Sequence, residues 1–310
     1  MSDKVATRQA YGEALIELGK KRNDIVVLDA DLSKSTMTVG FSKEFSGRFF
    51  NMGIAEQNLM GTAAGLATSG KTVFASSFAM FAAGRAFEIV RNAICYPSLN
   101  VKICATHAGI TVGEDGASHQ AIEDIALMRA LPNMVLINPS DPVSAKKAIF
   151  KAAEYNGPVY VRLGRVKVPF IYENNLEFEI GKGICLKDGR QAAVIATGVM
   201  VHEAVKAAEV LEAENINIRV IDMHTIKPVD EEIIIKAAKE TGAVVTAEEH
   251  NIIGGLGSAV AEVVVKHHPV KMKMVGIQDT FGESGKPDEL MKEYHITSED
   301  IVKAVKDIIK

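Results

Sequence analysis

The sequence is poor in the features that would place it outside an ordinary globular fold. It has three cysteines in 310 residues, Cys95, Cys104 and Cys185, none in a Cys-x-x-Cys pair. An odd, unclustered set of this kind points to reduced, mostly buried thiols and a cytoplasmic setting, not to a disulfide scaffold. No Cys/His cluster has ligand spacing and no His-Glu-x-x-His helix is present, so no metal site is expected on this chain. No apolar run reaches the length of a bilayer span. The N-terminal Met1-Ser2-Asp3-Lys4 has neither an apolar core nor a cleavage pattern, so no signal peptide is expected. A net charge of −4 offers no basic footprint for nucleic acid or an anionic membrane. The Gly-x-Ser-x-Gly elbow is missing. There are no internal repeats or low-complexity segments.

What remains is a chain 47% hydrophobic and 24% charged, long enough that two domains are the default. Its most informative stretch is Arg48-Phe-Phe-Asn-Met-Gly-Ile-Ala-Glu-Gln-Asn58. An apolar run ends at Gly53-Ile54, Glu56 follows, and a run rich in small residues continues from Leu59 to Gly70. The pattern predicts a strand, a tight turn and a closely packed helix, with Glu56 at the helix N-terminus. Taken alone, a first-turn acid favoured by the helix dipole explains Glu56 as well as a site does.

The rest of the first half alternates in the same way. Helices are predicted at 5–22, 80–94, 120–130 and 143–155, and strands at 25–28, 71–75, 100–105, 134–137 and 159–163. Such alternation predicts an α/β fold with a mainly parallel sheet and helices on both faces. Asp31, Glu56, Ser77, His107 and Arg165 all follow strand ends. They are therefore expected along one edge of one sheet, where open α/β folds bind ligands. Gly113-Glu-Asp-Gly-Ala-Ser-His-Gln120 is a second distinctive stretch. Asp115 and His119, four apart on a glycine-rich loop, could bind hydroxyls or shuttle protons, and a tight turn with a cap would explain them equally. Phe78 and Phe81 read as core residues or as a flat surface for an aromatic ligand.

Residues 167–190 change character, with Val168-Pro169, Asn174-Asn175 and Asp188-Gly189 marking a linker between residues 1–166 and 191–310. A second alternation follows, with strands at 192–197, 217–222, 243–247 and 272–277 and helices at 201–214, 230–240, 255–267 and 298–309. Gly254-Gly-Leu-Gly257 superficially suggests a dinucleotide loop. Its third glycine and a ribose-binding acid are missing, so close helix–strand packing is the better reading.

Four motifs together, Gly53-Ile-Ala-Glu-Gln57, Ser77-Phe-Ala-Met-Phe81, Ala105-Thr-His107 and Gly113-Glu-Asp-Gly-x-x-His-Gln120, resemble the pyrimidine-binding domain of the transketolase family in order and spacing. Residues 192–310, with Glu248-Glu-His-Asn-Ile-Ile-Gly-Gly255, resemble its C-terminal domain. The resemblance implies two three-layer α/β/α domains with mainly parallel sheets. The Gly-Asp-Gly signature that holds Mg²⁺ and thiamine diphosphate in the remaining family domain does not occur. The chain thus resembles the C-terminal subunit of a split transketolase, and the resemblance implies that Mg²⁺ is held by a separate N-terminal subunit and that two copies of each assemble around a twofold axis as a heterotetramer.

The resemblance also implies roles. Glu56 matches the glutamate that bonds the cofactor pyrimidine and helps its amino group deprotonate the thiazolium carbon. Phe78 and Phe81 match aromatics that pack on the pyrimidine, and Asp31 and Ile54 match residues near the cofactor. Asp115 and His119 match groups at substrate hydroxyls. Arg8, Ser35, His107 and Arg165 match the set that grips a sugar phosphate, a chemistry suited to charge-assisted hydrogen bonds. The implied activity is transfer of a two-carbon ketol unit between phosphorylated sugars of the pentose phosphate type. Two departures bear on it: Ala55-Glu56-Gln57-Asn58 is nearer a deoxyxylulose-phosphate-synthase pattern, and Gly84 stands where many transketolases carry a third aromatic. The alternatives are such a synthase-like enzyme, the beta subunit of a 2-oxoacid dehydrogenase's decarboxylating component, and a regulatory subunit with a dead site.

Overall fold

The structure is a computed structural model and describes residues 4–310. In chain order its strands are β1 (Val5–Ala6), β2 (Ile25–Asp29), β3 (Phe49–Asn51), β4 (Thr72–Phe78), β5 (Val101–Thr106), β6 (Val135–Ile137) and β7 (Val159–Arg162). They continue with β8 (Lys167–Val168), β9 (Ile184–Lys187), β10 (Ala192–Ala196), β11 (Ile218–Asp222), β12 (Thr225–Lys227), β13 (Ala243–Asn251) and β14 (Lys271–Ile277). Two larger sheets result, ordered β12-β6-β7-β5-β4-β2-β3 and β14-β13-β10-β11-β9. All pairings within them are parallel except β12 with β6 and β9 with β11. The small β1–β8 pair is antiparallel.

The parallel strands are short, continuous apolar runs because both of their faces are covered. Every residue of β2, β4 and β5 is buried. One face of the first sheet packs on the helices Thr7–Lys21 and Pro142–Glu154, through Leu15, Leu18, Ala145 and Ile149. The other packs on Glu56–Thr68, the 80–95 helical segment and Asp124–Ala130, through Leu59, Ala63, Val90 and Ile125. That apolar cluster runs on into the second half, taking in Ile195, Ile221 and Val260. Among the described residues no helix is long and apolar enough to cross a membrane.

Several local expectations change. Residues 120–123 are not helical, and the helix begins at Asp124. Ala121 instead bridges Ala108, which ties the glycine-rich loop back to the end of β5. The 80–95 segment is wound wide, π-helical at Met80–Arg85 and Val90–Cys95. An additional helix occupies Pro287–Glu293. Gly61 and Gly65 do not serve close packing, because a Cβ at either would meet nothing within 4 Å. Ala63 and Ala64 are the buried small residues of that helix.

The glycines at 254–257 do serve close packing. Glu248 accepts hydrogen bonds from the backbone N–H groups of Leu256 and Gly257, both at 2.7 Å. Its carboxylate thus fills the helix N-terminus that a dinucleotide phosphate would need. A Cβ at Gly255 would overlap that carboxylate.

Candidate functional site

The parallel order of β7, β5, β4, β2 and β3 brings their carboxyl ends to one edge. Asp31, Glu56, Phe78, His107 and Arg165 all follow or end these strands. Two of them are held in a left-handed backbone conformation, Asp31 at φ 66° and His107 at φ 58°. Non-glycine residues persist there only where surrounding contacts enforce it. Asp31 is fixed by a reciprocal pair with Asn51: Asn51 Nδ2 donates to its carboxylate at 2.8 Å, and the Asp31 N–H donates to Asn51 Oδ1 at 3.1 Å.

Glu56 is the first residue of its helix and is 2% exposed. The Arg85 Nη1 donates to its Oε2 at 3.1 Å. Among the described residues Oε1 has no hydrogen-bond donor, which leaves it free for a ligand. The Arg85 guanidinium also lies 5.1 Å from the Phe81 ring centroid. Ile54, in the turn before Glu56, is 78% exposed.

An aromatic cluster stands beside this pair. The Phe78 and Phe81 rings are stacked at 6.2 Å and 18°. His107 stacks on Phe78 at 3.9 Å, and His119 sits edge-on to Phe81 at 5.2 Å. The structure therefore brings His107 and His119, twelve residues apart in the chain, to the same phenyl ring, Phe78. His119 is half-buried with its Nδ1 3.0 Å from the Ser118 hydroxyl, while Asp115 on the same loop is exposed.

The basic residues form a second group. Arg8 Nη1 donates to the backbone carbonyl of Ser35 at 2.6 Å. Burial, then the nearby charge of Arg165, lowers the Arg8 pKa. Arg8 Nε is buried without a partner, as is the Ser77 hydroxyl at the end of β4. Arg165 donates to the Val112 carbonyl and lies 3.1 Å from Glu114 Oε2. Burial, followed by the charges of Arg8, Arg165 and His119, drives the His107 pKa down to about 3. Its Nδ1 is 2.9 Å from the Thr106 hydroxyl. At neutral pH this is an uncharged imidazole in the field of the Arg8 and Arg165 guanidinium groups, a set of groups that can hold an anion.

The sequence reading missed three supports. Arg85 is one residue beyond the position of the absent aromatic. Asp29, buried, accepts from Leu32 N at 2.6 Å, Thr36 Oγ1 at 2.6 Å and Thr38 Oγ1 at 3.0 Å, and so shapes the loop bearing Asp31 and Ser35. A carboxylate inside an otherwise apolar strand was the available signal. Arg162, buried with Asp124 at 2.9 Å, also donates to the Glu249 carbonyl at 3.0 Å and links the two halves behind the site.

The edge is open, not an enclosed pocket: Asp31, Ile54 and Asp115 are all exposed. A larger cleft of about 970 Å³ lies between the helix Pro142–Glu154 and residues 174–184, and none of the candidate residues lines it. Among its charged lining residues Glu17 pairs with Lys146 and Lys151 with Glu154.

Comparison with known proteins bears on the family and the fold. Residues 3–170 match the family model of the transketolase pyrimidine-binding domain, and residues 181–301 match that of the transketolase C-terminal domain. The chain is 58% identical to a putative transketolase C-terminal section of Methanocaldococcus jannaschii, over 98% of this chain and 96% of that protein. It is 41% identical to human transketolase over its whole length, which spans half of that protein. Its structure superposes with a TM-score of 0.91 on a split-gene transketolase solved as an inactive β4 tetramer, at 55% identity and covering 99% of each chain.

Proposed function

The chain belongs to the transketolase family, a family of transferases, and corresponds to its C-terminal section; on that premise we propose that it transfers a two-carbon ketol unit from a ketose phosphate to an aldose or aldose phosphate. The observation that carries the reading is the buried Glu56 carboxylate with one oxygen unpartnered beside stacked phenyl rings. A buried acceptor next to flat apolar faces fits the pyrimidine of thiamine diphosphate. When bound, that cofactor supplies the electron sink that lets a carbon–carbon bond beside a ketose carbonyl be cut and remade.

In this reading Glu56 Oε1 shares a proton with the pyrimidine ring nitrogen. Phe78 and Phe81 pack on the ring, and Asp31 and Ile54 border it. Asp115 and His119 orient sugar hydroxyls and carry catalytic protons near the reacting carbon. Arg8, Ser35, His107 and Arg165 hold the phosphate. The neutral His107 contributes a hydrogen bond there, and the two arginines contribute charge. The open edge is a half-site. We assign its other wall, with Mg²⁺ and the diphosphate, to a separate N-terminal transketolase subunit in a cytoplasmic heterotetramer. The exposed Ile54 and the open faces of Gly61 and Gly65 suit burial in such an assembly. The inactive β4 tetramer of the split-gene relative supports the same division, since copies of that chain alone do not act.

The test is a ketol-transfer assay on the complex that a tagged copy recovers from its native extract, with thiamine diphosphate, Mg²⁺, a ketose phosphate and an aldose phosphate. Transfer by the complex and none by the isolated chain is expected. Decarboxylation of a 2-oxoacid without ketol transfer would overturn the reading and the phosphate assignments with it. Calorimetry of the isolated chain should show weak binding of thiamine diphosphate.

A further inference from the structure

The loop that carries Asp115 and His119 belongs to the first half of the chain, yet much of its support comes from the second. Ser284 Oγ donates to the Glu114 carbonyl at 2.6 Å. Gln120, at the far end of the loop, sends its Nε2 to the carbonyls of Ile110 at 3.2 Å and Glu283 at 2.9 Å. Upstream, the Thr111 N–H donates to Glu249 Oε1 at 2.5 Å. Ile110 and Ile122, which bracket the loop, are buried in one apolar cluster with Leu290 and Met291. The fit is tight. A Cβ at Gly282 would lie on top of the Gln120 amide oxygen, and one at Gly113 would come within 3.3 Å of Pro287 Cδ.

The loop's internal bonds cannot set this position. They are three backbone hydrogen bonds, Gly116 N–H to Gly113, and His119 and Gln120 N–H to Gly116, at 3.0 to 3.2 Å. They fix the turn's shape. The Ala108–Ala121 bridge and Arg165, which reaches Val112 and Glu114, tie it to the first half. Its remaining contacts come from residues 138 to 170 positions later in the sequence, the Gln120–Glu283 bond with a separation of 163 among them.

We propose that the turn Gly282–Gly285 and the helix behind it position the Asp115/His119 loop, so that the second half of the chain sets affinity for the sugar while leaving cofactor binding alone. Ser284 and Gln120 are positioning residues here, acting through the loop. The proposal rests on the reading in which Asp115 and His119 contact substrate hydroxyls, and its test separates the two.

Two variants at accessible positions probe it, Gly282→Ala, which displaces the Gln120 amide, and Ser284→Ala, which removes one bond. Amide hydrogen exchange on the full chain is the first readout. Exchange across 113–120 should accelerate about fivefold or more in each variant, the factor for one ordinary hydrogen bond, while β4 and β5 stay protected. Kinetics of the assembled enzyme are the second readout. KM for the sugar phosphate should rise about fivefold, with the half-saturating thiamine diphosphate concentration unchanged. His119→Ala serves as the control for the site reading. If it leaves KM unaltered, the sugar-contact assignment falls, and the exchange result still decides whether the loop is positioned from the second half. Unchanged exchange in Gly282→Ala would overturn the proposal. So would faster exchange with an unchanged KM in a preparation where His119→Ala responds.

Discussion

Arg85 Nη1 lies 3.1 Å from Glu56 Oε2, and the pair is lopsided, with Glu56 buried at 2% exposure and the Arg85 side chain 54% exposed. A buried carboxylate whose one charged partner reaches in from solvent is held in place without being sealed off. Glu56→Gln keeps the shape and loses the acid. It should lower kcat of the assembled enzyme by about 100-fold or more at saturating thiamine diphosphate, the scale of a lost acid–base group. Arg85→Gln should lower it far less, by about tenfold or under, because an exposed partner contributes modestly. Steady-state kinetics decide the point, and full activity in Glu56→Gln would remove Glu56 from the chemistry.

His107 should behave as a neutral ligand group throughout the working range. Its folded pKa of about 3 lies below the ordinary 6.5, through burial first and then Arg8, Arg165 and His119. Between those values the unfolded chain binds a proton that the folded chain refuses. Stability from this residue therefore rises with pH across about pH 3 to 6.5 and is lost as pH falls through the window. In the free chain the His107 imidazole NMR signals should stay constant from pH 5 to 8. A midpoint near 6.5 would show that neither burial nor the two arginines shape its titration.

The strands, their parallel order and the polar edge could be read from the sequence because each rests on a local pattern. A run such as Ile25–Asp29 is uniformly apolar until a polar residue ends it. Glu56, Phe78, Phe81, His107 and His119 were legible as a constellation only because their motifs occur together. Gly61 and Gly65 misled, since small residues look the same whether they meet a neighbour in this chain or face open space. Contacts across the halves left no local trace. The pairing of β12 with β6, the Arg162–Glu249 link and the hold of Ser284 on Glu114 join segments 80 to 170 residues apart. Nothing in either segment's own periodicity encodes its partner.

Glu248, by contrast, is a stability residue through local partners, eight and nine positions on. Glu248→Ala would leave the N–H groups of Leu256 and Gly257 buried without acceptors. At about 1–3 kcal/mol for each such group, the loss should be on the order of 3 kcal/mol in urea unfolding. Added phosphate should not restore it, because the gap is enclosed by Gly255 and His250 and not open to solvent. Rescue by phosphate would revive the anion-binding reading of these glycines.

Lys102 offers the clearest pH test. It is 0% exposed, and its Nζ donates to the Tyr155 and Gly157 carbonyls at 2.7 and 2.6 Å, closing the chain just past the helix Pro142–Glu154. Burial lowers its pKa from 10.5 to about 7. Below pH 7 both folded and unfolded chains carry the proton, and the folded one bears the cost of a buried charge. Between about pH 7 and 10.5 the folded chain releases it while the unfolded chain keeps it. Stability from this group therefore rises with pH across that window. Lys102→Met removes the titration. The variant should be nearest the parent chain at pH 6 and fall behind it progressively towards pH 10, by an amount on the order of a few kcal/mol. Chemical denaturation at a series of pH values gives the difference directly, with the tyrosines and other shared groups cancelling. A constant gap would mean that the two carbonyls hold Lys102 charged across the whole range, with their hydrogen bonds outweighing its burial.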